Sequence, residues 1–202
     1  LRFVGKTTTV EAGRFALDLE NERFVGSVGW RQNQQVLDGG RIEHRFGEKG
    51  RVAYAFLDGV NRVFGDRKPM ASHLAYGSYA PRKDLRLHAT ALYLDYDRSA
   101  DAGLSSFTGA VGADGKRPIG SFSLLYDAEA GFQKDAADNP KTIDEPYLRA
   151  ELGLQHGKLT VLTARAGWEL LGGSLESGHG SLNTPLATLH RWNGWADKLL
   201  TT

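Results

Sequence analysis

The stretch YLRAELGL, residues 147–154, alternates apolar and polar side chains without a break. One side of the stretch is apolar and carries Leu148, Ala150, Leu152 and Leu154. The positions between them are Tyr147, Arg149, Glu151 and Gly153. Because successive side chains of a strand point to opposite faces, this pattern predicts a strand with one apolar and one charged face.

The same alternation recurs along the chain and predicts nine strands. They cover residues 6–17, 35–46, 51–58, 71–80, 84–96, 105–113, 118–130, 145–155 and 158–170. Several approach the ~9–11 residues that a tilted strand needs to cross a bilayer, whereas strands of globular proteins are nearer ~5–6 residues. Strand length therefore favours a transmembrane β-barrel over a sandwich.

The connections between the strands alternate in length. Four are tight turns that contain Gly or Pro: FGEKG (46–50), PRKD (81–84), DGK (114–116) and QHGK (155–158). The links between them are longer and cover 18–34, 58–70, 97–104, 131–144 and the residues from 171 onward. Membrane barrels have short periplasmic turns and longer external loops. We therefore predict an all-β fold, a transmembrane antiparallel up-and-down β-barrel. Residues 1–202 form a single domain, which supplies about nine strands of a larger barrel.

Composition removes several classes of protein. The chain has 25 basic and 24 acidic residues, a balance that gives no support for a nucleic-acid partner. It has no cysteine, which excludes a disulfide framework and a thiolate metal site. The mean hydropathy of −0.38 and the lack of an 18-residue apolar run exclude a transmembrane helix.

The ends of the sequence predict that the chain is an internal portion of a longer protein. It begins at Leu1 without a signal peptide and stops at Thr202 shortly after an apolar pair. An incomplete barrel leaves open strand edges, so we expect that this portion does not fold alone.

Five stretches carry a family resemblance. They are ENERFVGSVGWRQNQQVLDGGRIEHR (20–45), DGVNRVFGD (58–66), AGLSSFTG (102–109), PYLRAELGL (146–154) and TPLATLHRWNGWADKLL (184–200). In this order they resemble the alginate-export family of Gram-negative outer-membrane proteins. The resemblance implies a porin-like barrel in the outer membrane, surrounded by its lipid. It also implies passive diffusion of polysaccharide, oligosaccharide or small anionic solutes, without a cofactor.

Charged side chains on the predicted strands are candidates for the pore lining, because charge is costly on a lipid-facing surface. They are Arg14, Arg41, Glu43, Arg45, Arg86, Arg149, Glu151, Arg165 and Glu169. Arginine binds carboxylates in a bidentate manner, so such a lining would suit anions and uronate sugars. The alternative is that Arg and Glu on neighbouring strands pair into ladders that hold the wall and select little. The interleaved acids leave both interpretations open.

The stretch NTPLATLHRWNGWADK, residues 183–198, changes to helical spacing. Thr184 and Pro185 predict the N-cap and first residue of a short amphipathic helix. We expect its Trp and Leu face to pack on the upper inner wall and narrow the pore mouth, with simple packing as the alternative. The candidates for the mouth are Trp30, Arg31, His190, Arg191, Trp192 and Trp195.

Aromatic residues near the predicted strand ends suit girdles at the membrane interfaces. They are Tyr54, Tyr79, Tyr93, Tyr96, Tyr126, Tyr147 and Trp168. Because Tyr147 falls on the charged face, a role in stacking against carbohydrate is equally open for it.

No enzyme motif is found. The six histidines lack zinc-site spacing and no GxSxG occurs, so we predict no catalytic residue, no metal and no cofactor. Two alternatives to a channel remain. A soluble all-β carbohydrate-binding domain would need its apolar faces to pack on each other, and a barrel enzyme acting on lipid would need a nucleophile–base pair.

Overall fold

The computed structural model describes residues 1–157 and 161–193. Ten antiparallel strands form one sheet that follows chain order from β1 to β10. The strands are β1 (Arg2–Val4), β2 (Thr8–Phe15), β3 (Val36–Phe46), β4 (Gly50–Asn61), β5 (Arg67–Arg82), β6 (Leu85–Leu94), β7 (Ser106–Ile119), β8 (Phe122–Asp135), β9 (Asp144–His156) and β10 (Leu162–Leu171). A 3₁₀ helix covers Ser99–Leu104 and one short helix, α1, covers Leu189–Asn193. The predicted all-β, up-and-down antiparallel fold is confirmed.

Cross-strand register divides the side chains into two faces. Arg149 lies opposite Glu129 on β8 and Glu169 on β10, while its neighbour Leu148 lies opposite Ala130 and Leu170. The face that carries Arg149 is called the inner face, and the other the outer face. Apolar side chains on the outer face are largely exposed: Ile42, Val52, Tyr54, Phe56, Val111, Phe132, Leu148, Leu152, Leu154 and Trp168. An apolar surface of this extent indicates an apolar surrounding or a partner.

The single sheet bears on the soluble alternative. That alternative needs the apolar strand faces to pack on each other, as in a sandwich. Among the described residues all ten strands belong to the same sheet, and their apolar outer faces are not covered by a second one. Within the same ranges no helix is long and apolar enough to cross a membrane.

The inner face is covered by two long connections. Residues 16–35, between β2 and β3, and residues 172–188, after β10, pack against it. The buried cluster they share with the sheet contains Leu19, Phe24, Val25, Leu37, Leu57, Leu74, Leu92, Tyr147, Leu182 and Leu186. The two connections also bind each other: Val25 and Leu186 form a parallel bridge, and the Gly26 N–H donates to the Leu186 carbonyl at 2.8 Å. The amide of Gln35 donates to both the Gly26 and Leu186 carbonyls at 2.9 Å.

The strand count, one long link and one turn differ from the sequence predictions. Strand β1 was missed, and β5 runs for 16 residues, which shortens the predicted 58–70 link to residues 62–66. The predicted turn at 114–116 is wrong, since those residues lie inside β7 and the turn is at 120–121. Asp114 faces Arg86 across the strands at 2.8 Å, which stabilises the pairing there. Gly120, with φ of 59°, supplies the left-handed conformation that the turn requires.

One irregularity in the sheet has a clear cause. The register between β3 and β4 shifts between Asp38 and Gly39. A Cβ added at Gly39, where φ is 152°, would lie 2.1 Å from the carbonyl oxygen of Phe56. Only glycine allows the two backbones to approach this closely.

Candidate functional site

A network of charged side chains lies on the inner face beneath residues 16–35. Glu20, from this connection, accepts from Arg86 at 2.5 Å and from the hydroxyl of Tyr76. Arg86 also contacts Asp114 at 2.8 Å, so one guanidinium bridges the connection and the wall. Burial alone would raise the pKa of Glu20, but the hydrogen bonds from Arg86 and Tyr76 outweigh it and lower that pKa. Glu20 is therefore ionised at neutral pH.

This network includes a cluster of possible metal ligands. Within the described part of the chain, one ligand atom each of Glu20, His88 and Asp114 lies within 4.8 Å of the other two. Both carboxylates are already bound by Arg86. A metal ion at this place would have to displace or repel that guanidinium, so the geometry favours an arginine-centred network over a metal centre.

A second network contains two arginines that are almost fully buried. Arg149, 7% exposed, contacts Asp127 at 2.5 Å and Glu129 at 4.0 Å. Arg23, 2% exposed, reaches from the 16–35 connection and contacts Glu169 at 2.9 Å. Burying such charges is costly unless they are paired, and each has at least one carboxylate partner.

Trp192, in α1, lies against both buried arginines. Its ring centroid is 5.5 Å from the guanidinium carbon of Arg23 and 5.6 Å from that of Arg149. Both distances are within the range of cation–π interactions. The Nη1 atom of Arg23 and the Nε atom of Arg149 are buried without a hydrogen-bond partner among the described residues. Two guanidinium groups thus contact one aromatic ring, and each has a donor atom that forms no hydrogen bond with the described residues.

Eight of the nine predicted lining residues share the inner face. They are Arg41, Glu43, Arg45, Arg86, Arg149, Glu151, Arg165 and Glu169. Many are already paired: Arg41 with Glu11 at 2.7 Å, Arg45 with Glu43 at 2.8 Å, and Arg165 with Glu151 at 2.6 Å. The first and third pairs join neighbouring strands, which is the geometry of the alternative interpretation, ladders that hold the wall, whereas Arg45 and Glu43 lie on the same strand. Arg23 and Arg149 differ from these pairs, because each has a buried donor atom without a hydrogen-bond partner among the described residues.

Arg14 is the exception and corrects the prediction. Its register partner is Asp38, whereas the next residue, Phe15, pairs with Leu37 and packs in the inner cluster. Arg14 therefore points to the outer face, where it binds Asp38 at 2.7 Å. The prediction failed because it assumed that the apolar side of every strand faces outward. Here the apolar Phe15 faces inward, where it packs in the buried cluster under the inner connections, so Arg14 faces outward.

The predicted mouth residues are partly brought together. The Trp30 indole N–H donates to Nδ1 of His190 at 2.8 Å, and the Arg31 guanidinium lies 4.8 Å from the Trp30 ring. Arg191 forms an ion pair with Glu22 at 2.7 Å. Trp195 lies outside the described residues.

The predicted helix starts later than expected. Residues 184–187 form a turn in which the Ala187 N–H donates to the Thr184 carbonyl at 3.0 Å, and α1 begins at Leu189. Thr184 is therefore not its N-cap. The carbonyl of Leu186 accepts from the Gly26 N–H and the Gln35 amide beside the bridge to Val25, so it is not used in a helix and α1 begins after it.

Two predicted girdle residues lie inside instead. Tyr96 is buried in the inner cluster, and Tyr147 is fully buried under Phe24, with ring centroids 5.0 Å apart. The stacking role that was open for Tyr147 needs an accessible ring, which the structure does not provide.

Sequence reasoning missed several residues of these networks. They are Glu20, Arg23, Asp114, Asp127 and Glu129. Extending the alternation of the predicted strand 105–113 past the supposed turn at 114–116 would have placed Asp114 on the inner face. Asp127 and Glu129 already lay on the polar side of the predicted strand 118–130. Glu20 and Arg23 lie in an irregular connection, where no periodicity predicts the direction of a side chain.

Comparison with solved structures identifies the architecture. OpdL of Pseudomonas aeruginosa matches with a TM-score of 0.69 at 17% identity, over 94% of this chain and 52% of that one. The fold is that of part of a porin barrel. OccAB4 of Acinetobacter baumannii matches with a TM-score of 0.67 at 14% identity, over 83% of this chain and 42% of that one. OccK2 of P. aeruginosa, in complex with glucuronate, matches with 0.66 at 14%, over 83% and 48%.

The chain spans about half the length of these structures. They are outer-membrane porins of Gram-negative bacteria, and the outer membrane is the location that the sequence predicts. No family model and no curated protein matches the chain. The porin-like barrel is thus established at the level of fold, and the finer resemblance to the alginate-export family stays a prediction.

Proposed function

We propose that this chain forms part of the wall and constriction of an outer-membrane channel for small anionic solutes, with sugar acids as the preferred class. The carrying observation is the arrangement of Arg23, Arg149 and Trp192 on the inner face. Guanidinium groups with unused donors bind carboxylates, and an indole ring stacks on the apolar face of a sugar. Because both arginines are almost fully buried, a solute reaches these donors only when the Trp192 side chain moves aside. The complex of OccK2 with glucuronate supports this choice of solute by analogy of fold.

The two connections on the inner face set the size of the opening in this proposal. Residues 16–35 carry Arg23, and the segment after β10 carries Trp192. Both lie inside the wall, so they reduce the cross-section available to a solute. Larger polymers such as alginate need these segments to move, whereas a monosaccharide acid or an aromatic acid does not.

The selectivity of the full-length protein in planar bilayers tests the proposal. We expect anion selectivity, measured as the reversal potential in a salt gradient, to fall in Arg149→Glu and in Arg165→Glu. Glucuronate should reduce the current of the unmodified channel and lose this effect in Arg149→Glu. Arg14→Glu is the matched control, because it makes the same charge change on the outer face. An unchanged reversal potential in the two inner-face variants would show that their pairs only hold the wall.

A further inference from the structure

The strand ends at the short connections form a rim with a distinct charge. This turn rim consists of the connections 5–7, 47–49, 83–84 and 120–121. Each connection has an exposed cation in it or within three residues of it: Lys6, Lys49, Lys83 and Arg117. None of the four forms an ion pair within residues 1–157 and 161–193. Consecutive connections are two strands apart, about 10 Å, so the four cations extend over roughly 30 Å.

The opposite rim contrasts with the turn rim, because its cations are largely neutralised. Arg62 pairs with Asp66 at 2.7 Å, Arg67 with Asp58 at 2.5 Å, and Lys68 with Asp101. Arg98 and Lys141 on that rim are also exposed and form no ion pair among the described residues, so unpaired cations occur on both rims and are more numerous on the turn rim.

Each cation of the turn rim has an exposed apolar neighbour on the outer face. The neighbour of Lys6 is Phe3, that of Lys49 is Phe46, that of Lys83 is Tyr79, and that of Arg117 is Ile119, each two to four residues away in the sequence. These four side chains are 66%, 59%, 53% and 52% exposed, respectively. Apolar rings at the edge of a bilayer lie among the acyl chains next to the headgroups, and cations just beyond them lie at headgroup level.

We propose that the turn rim binds the phosphate groups of anionic phospholipids in the leaflet on its side of the membrane. Phosphatidylglycerol and cardiolipin are lipids of this class. A soluble polyanion, such as a uronate polymer, would be attracted by the same charges but makes no use of the apolar ring. The pairing of each cation with an outward apolar side chain therefore favours a lipid. The inference rests on the proposed position of the chain in the wall of a membrane barrel.

Lipid retention by the full-length protein tests this proposal. The test variant is Lys6→Gln, Lys49→Gln, Lys83→Gln and Arg117→Gln combined. The matched control is Arg62→Gln, Arg98→Gln, Lys134→Gln and Lys141→Gln combined, which removes the same charge from the opposite rim. Protein in neutral detergent is titrated with phosphatidylglycerol or phosphatidylcholine, and bound lipid is counted by native mass spectrometry. Surface cations near anionic lipid contribute about 1 kcal/mol each, so we expect affinity for phosphatidylglycerol to fall roughly fivefold per charge removed.

The outcomes separate the possible partners. The proposal requires that the unmodified protein prefers phosphatidylglycerol, that 0.5 M salt weakens this preference, and that only the turn-rim variant loses it. Equal loss in both variants, or no preference for the anionic lipid, overturns it. A uronate oligomer that binds through the four cations while phosphatidylglycerol does not would also overturn it, in favour of a soluble polyanion. Heat-modifiable gel mobility and conductance report separately whether the barrel has inserted, so failure of the channel function is distinguishable.

Discussion

Gln133 and Asn183 hold each other by two hydrogen bonds. The side-chain amide of Gln133, on β8, donates to the Asn183 carbonyl at 2.7 Å, and the Asn183 N–H donates to Oε1 of Gln133 at 2.8 Å. The buried side chain of Gln133 thus gives one donor and one acceptor to the backbone of Asn183, as the backbone of a neighbouring strand would. It fixes this segment to the inner face next to its bridge with residues 16–35.

Gln133→Leu should release the segment. The change removes both hydrogen bonds and leaves two backbone groups of Asn183 without a partner, at a local cost of about 1–3 kcal/mol. We expect faster amide hydrogen exchange and faster proteolysis within residues 172–188 of the folded protein. Gln155→Leu is the control and should leave both rates unchanged: Gln155 lies on the inner face of β9, and among the described residues its side chain is hydrogen-bonded to Lys116 and Thr163. Equal protection of the segment in Gln133→Leu and the unmodified protein would contradict this role.

Trp192→Ala should widen the channel. The substitution removes two cation–π contacts, each of roughly 0.5–2 kcal/mol, together with an indole ring that lies against Arg23 and Arg149. We expect higher single-channel conductance and weaker block by glucuronate. Trp168→Ala removes an indole from the outer face and should affect neither quantity. If conductance stays the same in Trp192→Ala, the ring does not border the conducting path.

Glu20 predicts a pH dependence of defined direction. Because its folded-state pKa lies below the ordinary value, the charge of Glu20 stabilises the position of residues 16–35 at all pH values above that ordinary range. The contribution is lost only as pH falls through the lowered, folded-state pKa. We therefore expect the contribution of Glu20 to conductance, measured as the difference from Glu20→Gln, to be constant from neutral pH to about pH 5 and to change in more acidic solution.

A variant isolates that carboxylate. Glu20→Gln should show at neutral pH the conductance that the unmodified channel reaches only in acid, since Arg86 then lacks its ionised partner on residues 16–35. Glu48→Gln, in an exposed turn, should leave the acid response as it is. An acid response that persists unchanged in Glu20→Gln would assign it to another group.

Gly39 and its neighbour Gly40 form a matched pair for stability. A methyl group at Gly39 would collide with the Phe56 carbonyl, whereas at Gly40 the nearest atom, the Glu11 carbonyl oxygen, is 3.8 Å away. We expect Gly39→Ala to lower the free energy of unfolding by about 1–3 kcal/mol and Gly40→Ala to leave it nearly constant. Urea unfolding followed by tryptophan fluorescence measures the difference. Similar midpoints for both variants would mean that the shift between β3 and β4 relaxes easily.

The sheet was predictable from the sequence because strand alternation is local information. Stretches such as 147–154 have an apolar side that faces out and a charged side that faces in, and the register of a hairpin then fixes which charges share a face. The same reasoning misplaced the turn at 114–116, since Gly and Asp also occur inside strands where cross-strand pairing outweighs turn preference. It misplaced Arg14 because Phe15 packs under an inner connection rather than against lipid.

The inner layer was not predictable in the same way. Arg23 and Glu20 lie in a connection without periodicity, and their partners Glu169 and Arg86 are distant in sequence. Sequence patterns such as periodicity and turn signals carry no information on which irregular segment folds inward. Contacts between distant parts of the chain specify it, among them the packing of Val25 on Leu186, the donors of Gln35 and the bonds of Gln133.

The strictly sequential order of the sheet has a mechanical consequence. Each strand is bonded to the strands before and after it in the chain, so no segment is threaded behind another within β1–β10. A pulling force applied at one end would therefore meet a series of similar barriers and extract the wall one hairpin at a time. The step that frees β8 should be the largest, because the bonds of Gln133 to Asn183 join that strand to residues that lie after β10 in the chain.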